Sequence, residues 1–246
     1  MDHSTMDRNY TRAPTWLVVY LPAILLAIPP IVGFFKEGCI PIHNSHGHWP
    51  CEGNPTKKLE TISEMVARSG ITAEMFCATA ALTLVGMHIA LKDIMRVQDM
   101  RSVAKDAAQA AFLIGAMGYV GLTVWSIRVS GHIHTGFTAQ TLSMMTLTCV
   151  TLCSQIPDLR ATVYCGFLVL SIVAYAGLFA AKEEFSYAGS PDYSQYFDFK
   201  YNLHAPAQYC FVAFYHLTIG RLHSLPANHR ARGGHLAWSH LQNQRS

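Results

Sequence analysis

The stretch AAQAAFLIGAMGYVGLTVWSI, residues 107–127, runs for 21 positions without a charged side chain. A bilayer core about 30 Å thick takes roughly 20 residues of helix, and only helices and closed barrels satisfy their own backbone hydrogen bonds there. The run is continuous rather than alternating, so it reads as a membrane helix and not as a barrel strand. Working outward, comparable windows cover residues 16–35, 71–91, 132–156, 161–181 and 203–222. The expected fold is therefore an all-α integral-membrane six-helix bundle. It divides into a cytosolic N-terminus (1–15), a six-span domain (16–222) with a lumenal loop at 36–70, and a cytosolic tail (223–246).

Composition agrees. Of 246 residues, 51% are hydrophobic and 13% charged, about half the roughly 25% charged content of a soluble globular domain. Mean hydropathy is +0.21. A formal charge of +3 is too small and dispersed for a nucleic-acid footprint, so no nucleic-acid partner is expected. Repeats and low-complexity tracts are absent. The first window lacks a small-x-small cleavage site and reads as a retained helix rather than a signal peptide. Pro22, Pro29 and Pro30 fall inside it and are expected to kink it or end it early, because each removes a backbone donor.

Orientation follows the basic residues. An even number of spans places both termini on one side, and that side carries eleven Lys and Arg against seven on the other, so the termini are expected in the cytosol. The connector with Lys92, Arg96, Arg101 and Lys105 contributes most. Five of the seven cysteines, Cys77, Cys149, Cys153, Cys165 and Cys210, fall within spans, where a thiol serves as a small apolar filler. Cys39 and Cys51 share the loop assigned to the oxidising side, so a disulfide between them is expected.

Of thirteen histidines, all but His3 sort into three groups. His43, His46 and His48 lie between the two loop cysteines, but their spacing matches no standard zinc module, and no metal site is expected. His223, His229, His235 and His240 accompany Arg230 and Arg232 in what reads as a solvated tail. His88, His132, His134, His204 and His216 lie within or at the ends of spans, where ionisable groups default to a functional reading. Depth pairs His134 with His204 and His88 with His216, as a two-haem electron carrier would need. The 12-residue step from His204 to His216 turns the ligands about 120° off a common face, so the haem reading is a remote alternative and no cofactor is expected. Ser63, Ser69 and Ser130 lie near the lumenal face with His132 and His134, without a G-x-S-x-G elbow. Glu74, near the start of span two, fits a partner for the helix dipole or a proton-handling group.

The order of features resembles the superfamily of DRAM proteins, FGF-receptor-activating proteins and GPI-lipid-remodelling factors, which have six membrane spans. The resemblance rests on Phe35-Lys36-Glu37 followed by Cys39-Ile40-Pro41, and on Ile62-Ser63-Glu64, then Gly70 and Glu74-Met75-Phe76. It continues through Ile133-His134-Thr135-Gly136-Phe137, His204-Ala205, and Ala213-Phe214-Tyr215-His216-Leu217-Thr218. Ile71, Thr72 and Ala73 stand where relatives have prolines, and Gln208 precedes Tyr209 where many have glutamate. The resemblance implies residence in endomembranes, Golgi or endoplasmic reticulum foremost and lysosome or plasma membrane otherwise. It also implies partners among membrane lipids and GPI-anchored proteins. The Phe-Lys-Glu and Ala-Phe-x-His-x-Thr stretches favour the GPI-remodelling branch. Within it, Ser63, Glu74, His134 and His204 are the catalytic candidates, and Gln208 and His216 the lipid-contacting ones. A non-enzymatic modulator of autophagy, or a scaffold for lipid asymmetry and phosphoinositide signalling, is the alternative within the superfamily.

Overall fold

The computed structural model describes residues 12–36, 43–44, 47–48, 71–124, 131–187 and 205–226. Within these, six helices follow in order: α1 (Leu21–Lys36), entered through a π turn (Trp16–Tyr20), α2 (Ile71–Val97), α3 (Ser102–Val124), α4 (Gly131–Gln155), α5 (Leu159–Tyr187) and α6 (Ala205–Ser224). Strands β1 (His43–Asn44) and β2 (Gly47–His48) pair antiparallel, His43 with His48 and Asn44 with Gly47. The fold is all-α apart from this hairpin. Ser63, Cys39, Cys51 and His204 lie outside the described residues.

Residues 74–97, 102–124 and 159–177 form three helices long and apolar enough to cross a membrane. Large apolar side chains face outward along the bundle, including Leu82, Val85 and Ile89 on α2, Met117 and Val120 on α3, and Leu170 on α5. An exposed apolar belt of this extent marks a surface made for lipid rather than water, and the chain is a multi-pass membrane protein.

The helices pack as three neighbouring pairs, α1 with α2, α3 with α4, and α5 with α6, while α6 also touches α2 and α4. The α3–α4 contact explains the glycines of the run 107–127. Gly115, Gly118 and Gly121 recur every three residues and so share one helix face, and all three are buried. A Cβ on Gly118 would stand 2.8 Å from Thr141 Oγ1, and one on Gly121 would stand 2.6 Å from the Phe137 ring. Small residues let two backbones approach closely, which is how helices associate when water provides no driving force.

The prolines do not end α1, which continues through Pro29 and Pro30 to Lys36. At Pro22 the chain adapts by widening the preceding turn, with the Leu21 N–H bonded to the Trp16 carbonyl five residues back, a π turn of the kind that absorbs local irregularity in helices. The connector after span two is shorter than expected as well. Helix α2 runs on to Val97 and α3 starts at Ser102, so Lys92, Arg96 and Lys105 lie on helical turns.

Ile156, Pro157 and Asp158 connect α4 to α5, and Asp158 precedes the first helical residue, Leu159. Asp158 Oδ1 accepts the Ala161 N–H at 2.8 Å, an N-cap bond to the third helical residue. The same carboxylate receives two bonds from Arg221 of α6, Nε to Oδ1 at 3.0 Å and Nη2 to Oδ2 at 2.7 Å. The Arg221 guanidinium, and after it the Ala161 N–H, hold the Asp158 carboxyl below the usual carboxylate range against the opposing effect of partial burial. A depressed folded-state pKa stabilises the fold above the ordinary value of about 3.9 and loses that contribution as pH falls through the lowered one. Thermal melts of detergent-purified protein from pH 7 to 3 should decline below about pH 4, and Asp158→Asn should flatten the decline. Parallel profiles for the two proteins would remove the ion pair from the account.

Candidate functional site

Two hydrophobic clusters hold the bundle. The larger contains Val19, Met87, Leu91, Ile94, Leu152 and Leu222 among others, and the smaller contains Leu26, Phe76 and Ala80. Between them lies a partly open cavity of about 100 Å³ bounded by α1, α2, α3, α4 and α6. Its walls are mainly aliphatic and aromatic, with Thr83, Thr138, Thr141, Tyr119, Gln208 and His216 as the polar exceptions apart from Tyr215. Leu26 of the smaller cluster and Met87 of the larger both line it, so the cavity marks where the two cores fail to close on each other.

The threonines satisfy themselves on the backbone. Thr83 Oγ1 donates to the Thr79 carbonyl, Thr138 to that of His134, and Thr141 to that of Phe137, at 2.8, 2.9 and 2.8 Å. This bonding one turn back is the usual resort of a hydroxyl on a membrane helix. The Gln208 amide donates to Tyr175 Oη at 3.2 Å. His216 uses Nδ1 for the Val212 carbonyl at 2.7 Å. Since a carbonyl only accepts, Nδ1 carries the proton, and in the neutral ring Nε2 is left as an acceptor. Among the described residues, neither His216 Nε2 nor the Tyr119 hydroxyl, both buried, has a hydrogen-bond partner.

Of the expected catalytic residues, Glu74 and His134 are among the described ones. Glu74 is exposed on the first turn of α2, His134 is buried on the first turn of α4, and Glu74 makes no hydrogen bond to it. Gln208 and His216 both line the cavity and are 5% exposed. His88 is half-buried, its ring stacked on Phe112 at a centroid distance of 5.9 Å. Cys77, Cys149, Cys153, Cys165 and Cys210 are free thiols. Among the described residues, no three His, Cys, Asp or Glu side chains gather as a metal site.

A second polar centre corrects the reading of the tail. His223 is not solvated: it sits in the last turn of α6 and is fully buried. Its Nε2 meets Asp93 Oδ2 of α2 at 3.1 Å and its Nδ1 meets Thr15 Oγ1 at 2.8 Å. With Asp93 ionised, Nε2–H donates to the carboxylate and Nδ1 accepts from Thr15, the order of groups that polarises a hydroxyl. Arg12 donates to the carbonyls of His223 and of Leu225, the latter at 2.8 Å, and Gln98 Nε2 donates to the Pro226 carbonyl at 3.1 Å. The N-terminal segment is thereby clasped to the ends of α2 and α6. Sequence reasoning missed both this centre and Tyr119. The available signal was slight, because Asp93 stands between Lys92 and Arg96 just past the window 71–91, where a carboxylate reads as part of a charged connector.

No family model, curated protein or solved structure matches the chain.

Proposed function

We propose that this chain is a six-span membrane protein that acts on or with membrane lipids, and that its role is the remodelling of GPI-anchor lipids in the Golgi or endoplasmic reticulum. The observation that carries the reading is the mid-bundle cavity, which places Gln208 and His216, the lipid-contacting candidates, on an otherwise mostly apolar wall. A concave, largely apolar site with few polar groups suits a ligand that is itself mostly hydrocarbon. The outward apolar belt, contributed by α1 to α5, supports immersion of the bundle. With both termini in the cytosol, the first turns of α2 and α4, carrying Glu74 and His134, face the lumen, where the remodelled anchors reside. Cells lacking the protein should show less GPI-anchored protein at the surface or altered anchor lipids by mass spectrometry. Unchanged anchors would overturn the assignment. If autophagic flux or lipid exposure then changed instead, the non-enzymatic branch of the superfamily would replace it.

A further inference from the structure

The cavity contains one buried hydrogen-bond donor and one buried acceptor without partners, the Tyr119 hydroxyl and His216 Nε2. Buried polar groups in folded proteins are almost always paired, so two exceptions lining one cavity, from α3 and from α6, point to something that pairs them. The chemistry of that group is narrow. A carbonyl or ether oxygen would accept from Tyr119 and leave His216 Nε2 bare. A carboxylate, phosphate or ammonium would enter as an uncompensated charge, since no Asp, Glu, Lys or Arg lines the cavity, and a buried charge without a partner is strongly disfavoured. A hydroxyl donates once and accepts at its lone pairs, which serves both atoms.

We infer that the cavity receives the hydroxyl group of a neutral, otherwise apolar lipid, which donates to His216 Nε2 and accepts from Tyr119 Oη. The inference rests on the lipid-handling reading above and sharpens it from lipids in general to alcohols. Size and shape agree. A volume of about 100 Å³ holds the hydroxyl end of a chain and not a whole lipid. The half-buried wall residues Leu84, Leu122 and Leu142 leave a way for the remaining hydrocarbon to pass towards the bilayer. Water offers the same donor and acceptor but gains nothing from the aliphatic walls, and the test separates the two.

The full-length protein in phosphatidylcholine nanodiscs is photolysed with 1-hexadecanol carrying a chain diazirine, or with the methyl ether of the same probe, and adducts are mapped by mass spectrometry. The alcohol should label cavity residues such as Met87, Leu122 and Met145, and the ether should label them about three- to tenfold less, the ratio expected for loss of neutral hydrogen bonding. Tyr119→Phe should lower alcohol labelling about three- to tenfold, and ether labelling with it, because the ether oxygen also accepts from Tyr119. The variant should melt at or above the wild-type temperature without probe, because it removes an unpaired buried hydroxyl. Equal labelling by alcohol and ether, or alcohol labelling insensitive to Tyr119→Phe, would overturn the hydroxyl assignment and leave water as the partner, with a lipid site still standing. Labelling of the outer belt by both probes with none in the cavity would overturn the lipid site itself.

Discussion

Replacing Gly86 with alanine should abolish the accumulation of folded protein or lower its stability by about 3 kcal/mol or more, at the upper end of what overpacking costs. A Cβ on Gly86 would collide with the Val18 backbone carbonyl and stand 3.2 Å from the Pro22 ring. Neither obstacle can rotate away. Pro22 has no N–H to offer the Val18 carbonyl, as residue 22 of a regular helix would, and Gly86, without a side chain, leaves room for that oxygen. The proline, the π turn and the glycine therefore form one device that seats α1 on α2. Gly166 is the internal control: open space surrounds its would-be Cβ, and alanine there should be neutral or stabilise by up to about 1 kcal/mol through helix propensity. Fluorescence-detected gel filtration and thermal melts of the two variants provide the comparison. Equal melting of Gly86→Ala and wild type would refute the close packing.

The helices were legible in the sequence because their signal is local. An uncharged window of about 20 residues is a property of the chain itself, and the six windows fall on the six helices with ends displaced by a few residues. What could not be read locally is anything decided by a second segment. Pro22 predicts a kink by its own chemistry, yet the outcome is a π turn because Gly86, some sixty residues on, leaves space for the displaced backbone. Tyr119 reads as one more aromatic in an apolar run. Only the cavity beside α4 and α6 makes its hydroxyl conspicuous. Gln208 and His216 were singled out by resemblance, and the structure brings them to that same cavity, whereas Glu74 and His134, singled out by depth and resemblance, differ in burial and are not joined by a hydrogen bond. Depth along a helix is readable from the chain, but azimuth depends on neighbours.

His223 is the sharpest case, and its removal should produce the second large effect. Hydropathy ends span six at Leu222 and hands the next residue to the tail, although α6 continues to Ser224 and His223 is fully buried against a residue 130 positions earlier. His223→Ala takes the imidazole donor from the Asp93 carboxylate, which is 3% exposed, and opens a void at the same point. Removing one partner of a buried polar pair costs about 3 kcal/mol or more, on the order of 6–12 °C in Tm for a chain of this size. The loss should also propagate to the N-terminus, because Thr15 bonds to the other nitrogen of that ring and Arg12 to the adjoining carbonyls. Thr15→Val alone should cost about 1 kcal/mol, and in the His223→Ala background it should cost nearly nothing, since the bond it deletes is already gone. Additive costs across this double-mutant cycle would mean that Thr15 and His223 stabilise the bundle separately, and the clasp would reduce to two unrelated contacts.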